Sequence, residues 1–457
     1  MDETRQLAEF ITRVSYNDLN GEIIDKAKDL VLDQLGCELA CSTLPWSRAV
    51  YKYIRDKKGG REESTVVNYG LRTIAEDAVF ANATFGHGFE IDDSEVISVL
   101  HPGCVIIPPA LAIGEREMIS GQEFLTAMVV GYDISIRVGA GMRLPDARGF
   151  HPTPILGPFG AAAATAKILG LDVDKVLSSL AIAASESAGL LEYTEAGGSV
   201  KRLHAGMASQ GGTRAALLAQ RGLTGPPTIL EGKKGFYRAY ANEPSLKEVT
   251  ADLGEDFRIL WTGTKPYACC AGQHSSIDAV SKIVKEHNIK PEQIEEITLG
   301  LLEHHVAIAA AIIEPQETTG AQFSGAFGIA LRLIKGGNQF SDYTEDNLRD
   351  PEILNIARKV KIIVDKELES LPRVKGERPA KVTLKLKDGT IYKERVNAAK
   401  GTILNPMTKE ELHSKFRDLA SRVLPDKQVE NIIQTVGELE KLDNVFKLGV
   451  LLTAQPS

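Results

Sequence analysis

The chain has 457 residues, 43% of them hydrophobic and 25% charged, an ordinary globular composition on a chain too long for one compact core. Two domains are therefore expected. The formal net charge of −8 and the lack of a basic stripe interleaved with aromatic residues argue against a nucleic-acid-binding protein. An anionic ligand would need a local cluster of cations to overcome that net charge.

The start of the chain, its apolar segments and its cysteines indicate a cytoplasmic protein. Residues 1–5 lead directly into an amphipathic pattern and lack the basic start, apolar stretch and cleavage site of an export signal. No apolar run approaches the ~20 residues that span a bilayer. The five cysteines spell neither a disulfide framework nor a zinc motif, which fits a reducing compartment.

Helical periodicity dominates from the start of the chain to about residue 260, beginning with the apolar spacing of Leu7 to Val14. Two segments, Thr73–Glu76 and Ser120–Glu123, have the sequence of a capping box and predict helix starts. Residues 160–166 and 181–188 are rich in Ala, Gly and Ser. Such small side chains predict helices that approach closely, in the centre of a bundle or at a subunit interface.

Strand patterns begin after Lys265. Residues 294–302 and 381–386 have the length and apolar pattern of strands, and Lys387–Gly389 is a hairpin turn leading into residues 390–396. Residues 320–334 and 345–362 are predicted to be helices. After residue 405 the pattern is helical again, so we expect the tail to pack on the first domain.

The predicted fold is therefore mainly α. A large all-α helical domain comprises residues 1–265 and 405–457, and a smaller α+β domain comprises residues 266–404.

An acidic segment is the first candidate site. Glu90, Asp92, Asp93 and Ser94 lie in one short stretch, and His101 follows in a His-Pro dipeptide. Crowded carboxylates raise one another's pKa, which suits acid/base chemistry. The alternative is a solvated acidic loop.

Two further candidates precede small-residue helices. His151 is held in a proline-stiffened turn by Pro152, although a lone histidine there is often structural. Lys201 and Arg202 follow a glycine pair at a predicted helix start, where the helix dipole disfavours cations unless an anion compensates. The alternative is a surface Lys-Arg pair.

The fourth candidate, Lys265–His274, contains Tyr267 and lies at the predicted domain boundary, where ligand clefts are common. Its adjacent cysteines, Cys269 and Cys270, lack a second pair, so no metal site is predicted. His304 and His305 have no partner motif. The sequence also lacks nucleotide-binding and serine-hydrolase motifs. It has no third glycine for a dinucleotide fingerprint, no phosphate-binding loop and no nucleophile elbow.

In their order and context these four segments resemble the MmgE/PrpD family, which includes 2-methylcitrate dehydratase, cis-aconitate decarboxylase and iminodisuccinate epimerase. The resemblance covers nearly the whole chain. It implies a large helical domain with a smaller α+β lid domain, a homodimer, a site between the domains and no cofactor or metal. Glu90 and Ser94 stand where relatives often have Asp and Thr, and the spacer before His101 is slightly longer than in the decarboxylase-like pattern.

Carried over position by position, the resemblance implies catalytic and substrate-binding residues. The catalytic residues would be Asp93, His101, His151, Lys201 and His274. Residues of the same four segments are predicted to bind the substrate, namely Glu90, Asp92, Ser94, Arg202 and Tyr267.

The expected activity is that of a lyase which forms a carbanion beside a carboxylate of a small di- or tricarboxylate. His101, His151 or His274 would act as acid or base, Asp93 would orient or polarise an imidazole, and Lys201 would anchor a substrate carboxylate. Dehydration of a hydroxy-polycarboxylate is favoured. Epimerisation of a dicarboxylate, decarboxylation of the cis-aconitate type and non-catalytic carboxylate binding remain open.

Overall fold

The computed structural model describes residues 2–57, 60–142, 149–372 and 374–454. It divides into two compact units, one of Met1–Leu191, Val200–Thr262 and Thr408–Ser457, the other of Glu192–Ser199 and Gly263–Met407. The predicted fold class, mainly α with a smaller α+β part, is confirmed.

Helices make up most of the secondary structure. They are α1 (Glu3–Arg13), α2 (Gly21–Cys41), α3 (Pro45–Arg55), α4 (Ala75–Gly86), α5 (Gly103–Glu117), α6 (Gly121–Ala140), α7 (Pro152–Ile168), α8 (Val173–Ala184), α9 (Tyr193–Ala196), α10 (Val200–Gln220), α11 (Phe236–Tyr240), α12 (Leu246–Thr250), α13 (His274–His287), α14 (Glu303–Ala309), α15 (Thr318–Phe323), α16 (Gly325–Lys335), α17 (Glu345–Leu348), α18 (Pro351–Ala357), α19 (Lys366–Ser370), α20 (Lys409–Ala420), α21 (Asp426–Gly437) and α22 (Phe446–Leu451).

Strands are shorter and fewer among the described residues. They are β1 (Ser64–Thr65), β2 (Arg72–Thr73), β3 (Ser94–Glu95), β4 (Thr262–Gly263), β5 (Ile294–Leu301), β6 (Val360–Val364), β7 (Ala380–Leu386) and β8 (Ile391–Val396).

Helix α7 lies at the centre of the first unit, in contact with α5, α6, α8 and α10. Every residue from Pro152 to Ala166 is buried, as expected for a helix that is apolar on all sides. Backbones approach closely there: a Cβ added at Gly212 of α10 would lie 2.7 Å from Cβ of Ala161 and would also meet the carbonyl oxygen of Pro158. The predicted close approach at residues 160–166 is confirmed inside the bundle.

Of the two predicted capping boxes, one forms. In α6 the Ser120 hydroxyl accepts from the Glu123 amide while the Glu123 carboxylate accepts from the Ser120 amide. The prediction of a capping box at Thr73 is wrong, because Thr73 of β2 pairs with Ser64 of β1. Helix α4 starts at Ala75 instead, and the Ala75 amide donates to the carboxylate of Glu63 at 3.0 Å.

The tail helices pack against the N-terminal part of the first unit. A Cβ added at Gly36 of α2 would lie 3.1 Å from the Phe416 ring of α20. Lys415, on the same helix, donates to the Asp33 carboxylate at 2.5 Å and to the Ile91 carbonyl at 2.7 Å. A buried lysine thus donates a hydrogen bond to the backbone of the acidic segment.

The second unit is built on a four-stranded sheet in the order β6-β5-β7-β8. Strands β5 and β6 are parallel, whereas β5/β7 and β7/β8 are antiparallel. Burial alternates along β7, so one face of the sheet is covered, with α13 packed on β7 and β8. The predicted strands and the hairpin at Lys387–Gly389 are confirmed.

The helix predicted for residues 345–362 is wrong in its second half. Helices α17 and α18 are short, since Asp350 and Pro351 begin a new helix, and the chain then enters β6. Within the described ranges, no helix is long and apolar enough to cross a membrane.

Candidate active site

The acidic segment forms the loop between α4 and α5, and it is buried. Glu90, Asp92 and Asp93 each expose 2% of their surface or less. The alternative of a solvated acidic loop is therefore wrong. Carboxylates in such a place must be paired or protonated, because desolvation penalises the charge.

Asp93 is held by two donors. Its carboxylate accepts hydrogen bonds from the Gly103 amide at 2.9 Å and from the Tyr132 hydroxyl at 2.7 Å. Burial raises the pKa of Asp93 to about 7, although both hydrogen bonds lower it. The link from Asp93 to an imidazole runs through its backbone, since His101 Nδ1 lies 2.7 Å from the Asp93 carbonyl oxygen. The Asp93 side chain was predicted to orient an imidazole, whereas the observed contact with His101 is made by the Asp93 backbone carbonyl.

Asp92 is the acid whose carboxylate faces imidazoles. His87, at the end of α4, places Nδ1 2.6 Å from Asp92 Oδ2, and His101 Nδ1 lies 3.5 Å from Asp92 Oδ1. Burial lowers the pKa of His87 despite the opposing effect of Asp92. A neutral imidazole beside a carboxylate carries its proton on the nitrogen that faces it.

His151 precedes α7 with extended backbone angles, as the following proline requires. Its Nδ1 lies 3.0 Å from Nδ1 of His204 on α10, so one ring donates and the other accepts. Burial, with the nearby charge of Lys201, lowers the pKa of His151 well below its usual range, and burial lowers that of His204 to about 4. Both rings are therefore neutral at pH 7.

Lys201 and Arg202 lie in the first turn of α10 and converge on one carboxylate. Lys201 Nζ contacts Glu90 Oε1, and Arg202 donates to the same oxygen at 2.8 Å. Both cations are at least 98% buried. The alternative of a surface Lys-Arg pair is wrong, and the predicted cationic cluster is present with a carboxylate bound to it.

Four histidines of the first unit lie side by side. The His87 ring centroid is 5.1 Å from that of His101 and 5.8 Å from that of His151, and His151 is 5.2 Å from His204. Together with Asp92, Asp93, Glu90, Lys201 and Arg202, these four rings form what we call the histidine cluster. Ser94, at the start of β3, is buried next to it in sequence.

Tyr267 and His274 belong to the second unit, where they lie against each other. Their ring centroids are 5.2 Å apart in an edge-to-face arrangement. The Tyr267 hydroxyl donates to Asp278 at 2.6 Å, and His274 Nε2 lies 3.1 Å from the Cys269 carbonyl oxygen. A neutral His274 therefore has its proton on Nε2.

The sequence matches known proteins over almost its full length. Residues 5–249 match the MmgE/PrpD N-terminal domain, and residues 267–441 match the MmgE/PrpD C-terminal domain.

The chain belongs to the MmgE/PrpD family.

Curated relatives of this MmgE/PrpD protein include fungal and mammalian chains. It is 28% identical to the cis-aconitate decarboxylase-like protein oryM of Aspergillus oryzae, with 99% of this chain and 97% of the relative covered. It is also 28% identical to the cis-aconitate decarboxylase of Aspergillus terreus (98% and 95% covered) and 27% identical to that of Mus musculus (98% and 93% covered).

One trio of side chains in this MmgE/PrpD chain is close enough to share a metal ion. The donor atoms of His87, Asp92 and Cys104 lie within 4.8 Å of one another. Burial raises the pKa of the Cys104 thiol well above its usual value, which favours the protonated thiol over the thiolate that metals bind. His87 and Asp92 already bond to each other. The expectation of a metal-free site stays a prediction, which metal analysis of the purified protein would test.

Sequence reasoning missed three members of the site. They are His87, His204, whose ring meets that of His151, and Tyr132, which lies inside an apolar helix. His87 did carry a signal, since it precedes Asp92 by five residues in the acidic segment. No spacing in the sequence predicts the contact of Tyr132 with Asp93, which joins residues 39 positions apart.

Proposed function

We propose that this protein is a lyase that acts on a small di- or tricarboxylate through a carbanion next to a carboxylate. The observation that carries the proposal is the convergence of Lys201 and Arg202 on one buried carboxylate, within a unit that also holds the histidine cluster. A site that binds a protein carboxylate in this way has the charge and donors to bind a substrate carboxylate.

The proposed chemistry needs both the cations and the histidines of the site. Removing a proton or CO2 beside a carboxylate leaves negative charge, which fixed cations and donors must stabilise. Lys201 and Arg202 suit that task. His101, His151 or His274 would move the proton. Burial lowers the pKa of His151 well below its usual range, which keeps this ring in the neutral form that accepts a proton.

Dehydration of a hydroxy-polycarboxylate is the reaction that we favour. Decarboxylation is the second candidate, because the relatives named above are cis-aconitate decarboxylases or similar to them. Epimerisation of a dicarboxylate, which needs only two acid/base groups on opposite faces of a carbon, is the third candidate. All three reactions share the carbanion and differ in what leaves or returns.

Proton NMR in D2O distinguishes these reactions. The EDTA-treated protein is incubated separately with citrate, 2-methylcitrate, cis-aconitate and iminodisuccinate. Loss of water identifies a dehydratase, loss of CO2 a decarboxylase, and deuterium uptake beside a carboxylate without loss an epimerase. No change in any compound would contradict the proposed substrate class.

Two variants test the roles of the site. Asn at position 101 can still donate to the Asp93 carbonyl but cannot accept a proton, so His101→Asn should lower turnover about 10²- to 10⁴-fold with near-normal ligand affinity. Lys201→Met should reduce both turnover and affinity, whereas Lys175→Met, at a half-exposed lysine in the same unit, should change neither. Unchanged turnover in His101→Asn would contradict the catalytic role of His101. Binding without turnover in the wild type would favour a carboxylate-binding protein over an enzyme.

A cytoplasmic location and a homodimer are further parts of the proposal. The family resemblance and the small-residue helices suggest the dimer. Light scattering with gel filtration would test it, and a monomer at micromolar concentration would contradict it.

A further inference from the structure

Two rings of the histidine cluster have no role in the proposal above, namely His204, which is paired with His151, and His87. His87 is fully buried, and its Nδ1 faces the Asp92 carboxylate at 2.6 Å. This contact fixes the proton on Nδ1, so Nε2 carries a lone pair and accepts hydrogen bonds. Asp92 also holds the ring in place, as a carboxylate does for the imidazole of a catalytic triad.

Nε2 of His87 has no hydrogen-bond partner among the described residues. A buried acceptor without a donor costs about 1–3 kcal/mol, so such atoms are rare and call for an explanation. The ring packs beside those of His101 and His151, and the charges of Lys201 and Glu90 act on it. The unsatisfied acceptor is therefore inside the site that we propose for a polycarboxylate.

A ligand that satisfies this acceptor must donate a hydrogen bond. The carboxylates of a polycarboxylate are ionised at neutral pH and donate none. A hydroxyl group on the same molecule does donate. We propose that His87 Nε2 is the acceptor for a substrate hydroxyl group, and that the natural substrate is a hydroxylated polycarboxylate. The inference rests on the proposed function, within which it favours substrates that carry a hydroxyl group over those that carry only carboxylates.

Paired ligands test this inference by calorimetric binding to the EDTA-treated protein. Citrate and tricarballylate differ only in a hydroxyl group, as do malate and succinate. Because one hydrogen bond contributes about 0.5–1.5 kcal/mol net, the hydroxylated member of a pair should bind about two- to tenfold more tightly to the wild type.

Two variants assign that preference to His87. In His87→Asn the amide can still donate to Asp92 but leaves no acceptor at the position of Nε2, so the ratio within each pair should fall to about one. In His87→Gln a carbonyl oxygen can take the place of Nε2 and should keep part of the preference. The ratio is a sharper measure than affinity, because general damage to the site weakens both members of a pair. Circular dichroism and thermal melting check the fold, and if His87→Asn fails to fold, the wild-type and His87→Gln ratios decide.

Equal binding of both members in the wild type, or an equal preference in wild type and His87→Asn, would overturn the inference and leave the proposed function standing. Failure of all four ligands to bind would overturn both. A preference that depends on His87, in a protein that turns over none of the compounds, would support the inference while contradicting the proposed reaction.

Discussion

At the scale of single residues, burial determines the pH at which the Asp93 carboxyl group ionises. The pKa of its carboxyl group is raised from 3.8 to about 7, mainly because burial penalises the anion. Between these two values the folded protein binds a proton that the unfolded chain has lost. The contribution of this group to stability is therefore fully present below about pH 4 and is lost as the pH rises through about 7.

The variant Asp93→Asn keeps the size of the side chain and removes its charge. Relative to the wild type, we expect its free energy of unfolding to increase between about pH 4 and about pH 7, because in that range the wild-type group ionises in the unfolded chain and stays protonated in the folded protein, which favours unfolding as the pH rises. Urea denaturation at several pH values measures the difference. Asp388→Asn, at an exposed acid whose pKa is lowered, is the control and should show no such rise. A difference for Asp93→Asn that stays constant over this range would contradict the raised pKa.

The sequence predicted several of the site residues because their types and spacing are conspicuous. The His-Pro dipeptides, the acidic segment and the Lys-Arg pair each stand out locally. The burial of these residues does not stand out in the sequence, because charged residues are mostly exposed. Only the tertiary structure brings Glu90 to Lys201, which is 111 positions away in the chain. For the same reason the sequence assigned the orienting carboxylate to Asp93, whereas the contacts place Asp92 on an imidazole.

At the scale of elements, the packing of α7 against α10 depends on Gly212. Alanine is the better helix former by about 1 kcal/mol, yet its Cβ would meet backbone and side-chain atoms of α7. We expect Gly212→Ala to lower the free energy of unfolding by about 1–3 kcal/mol, because the two helices must separate. Chemical denaturation measures this. Gly437→Ala, at an exposed helical glycine with no atom near the added Cβ, should be neutral or stabilising. An equal effect of the two substitutions would rule out the close approach.

Long periodic elements were predictable and short ones were not. The helix around Leu7 and the strand β5 follow from apolar spacing, and the start of the helix after Ser120 follows from its capping box. Strand β6 gains its hydrogen bonds from β5, more than 60 positions earlier in the chain, so a local pattern does not reveal it. Thr73 has the sequence of a helix cap, yet pairing with Ser64 decides its structure.

At the scale of the whole molecule, the ion pair between Asp33 and Lys415 joins α2, near the start of the chain, to α20, in its tail. Both side chains are almost fully buried. Lys415→Met would leave Asp33 without its cation, so we expect a loss of about 3–5 kcal/mol in the free energy of unfolding. The double variant Asp33→Leu/Lys415→Met should recover most of it, because two apolar groups replace the pair. Urea denaturation compares the three proteins, and a double variant no more stable than the single one would contradict this account.

The change from helical to strand patterns after Lys265 is the sequence feature on which the prediction of two domains rests. The membership of residues 192–199 in the second unit has no counterpart in local pattern, because the segment is short and polar and lies between helices of the first unit.

The same ion pair has a consequence for biosynthesis. A ribosome releases the chain from its N-terminus, so Asp33 and Ile91 emerge well before Lys415, with all of Gly263–Met407 in between. During that interval the helical unit lacks its closing helices and the buried carboxylate lacks its cation. The Ile91 carbonyl, inside the acidic segment, can therefore meet its lysine donor only after the second unit has been translated.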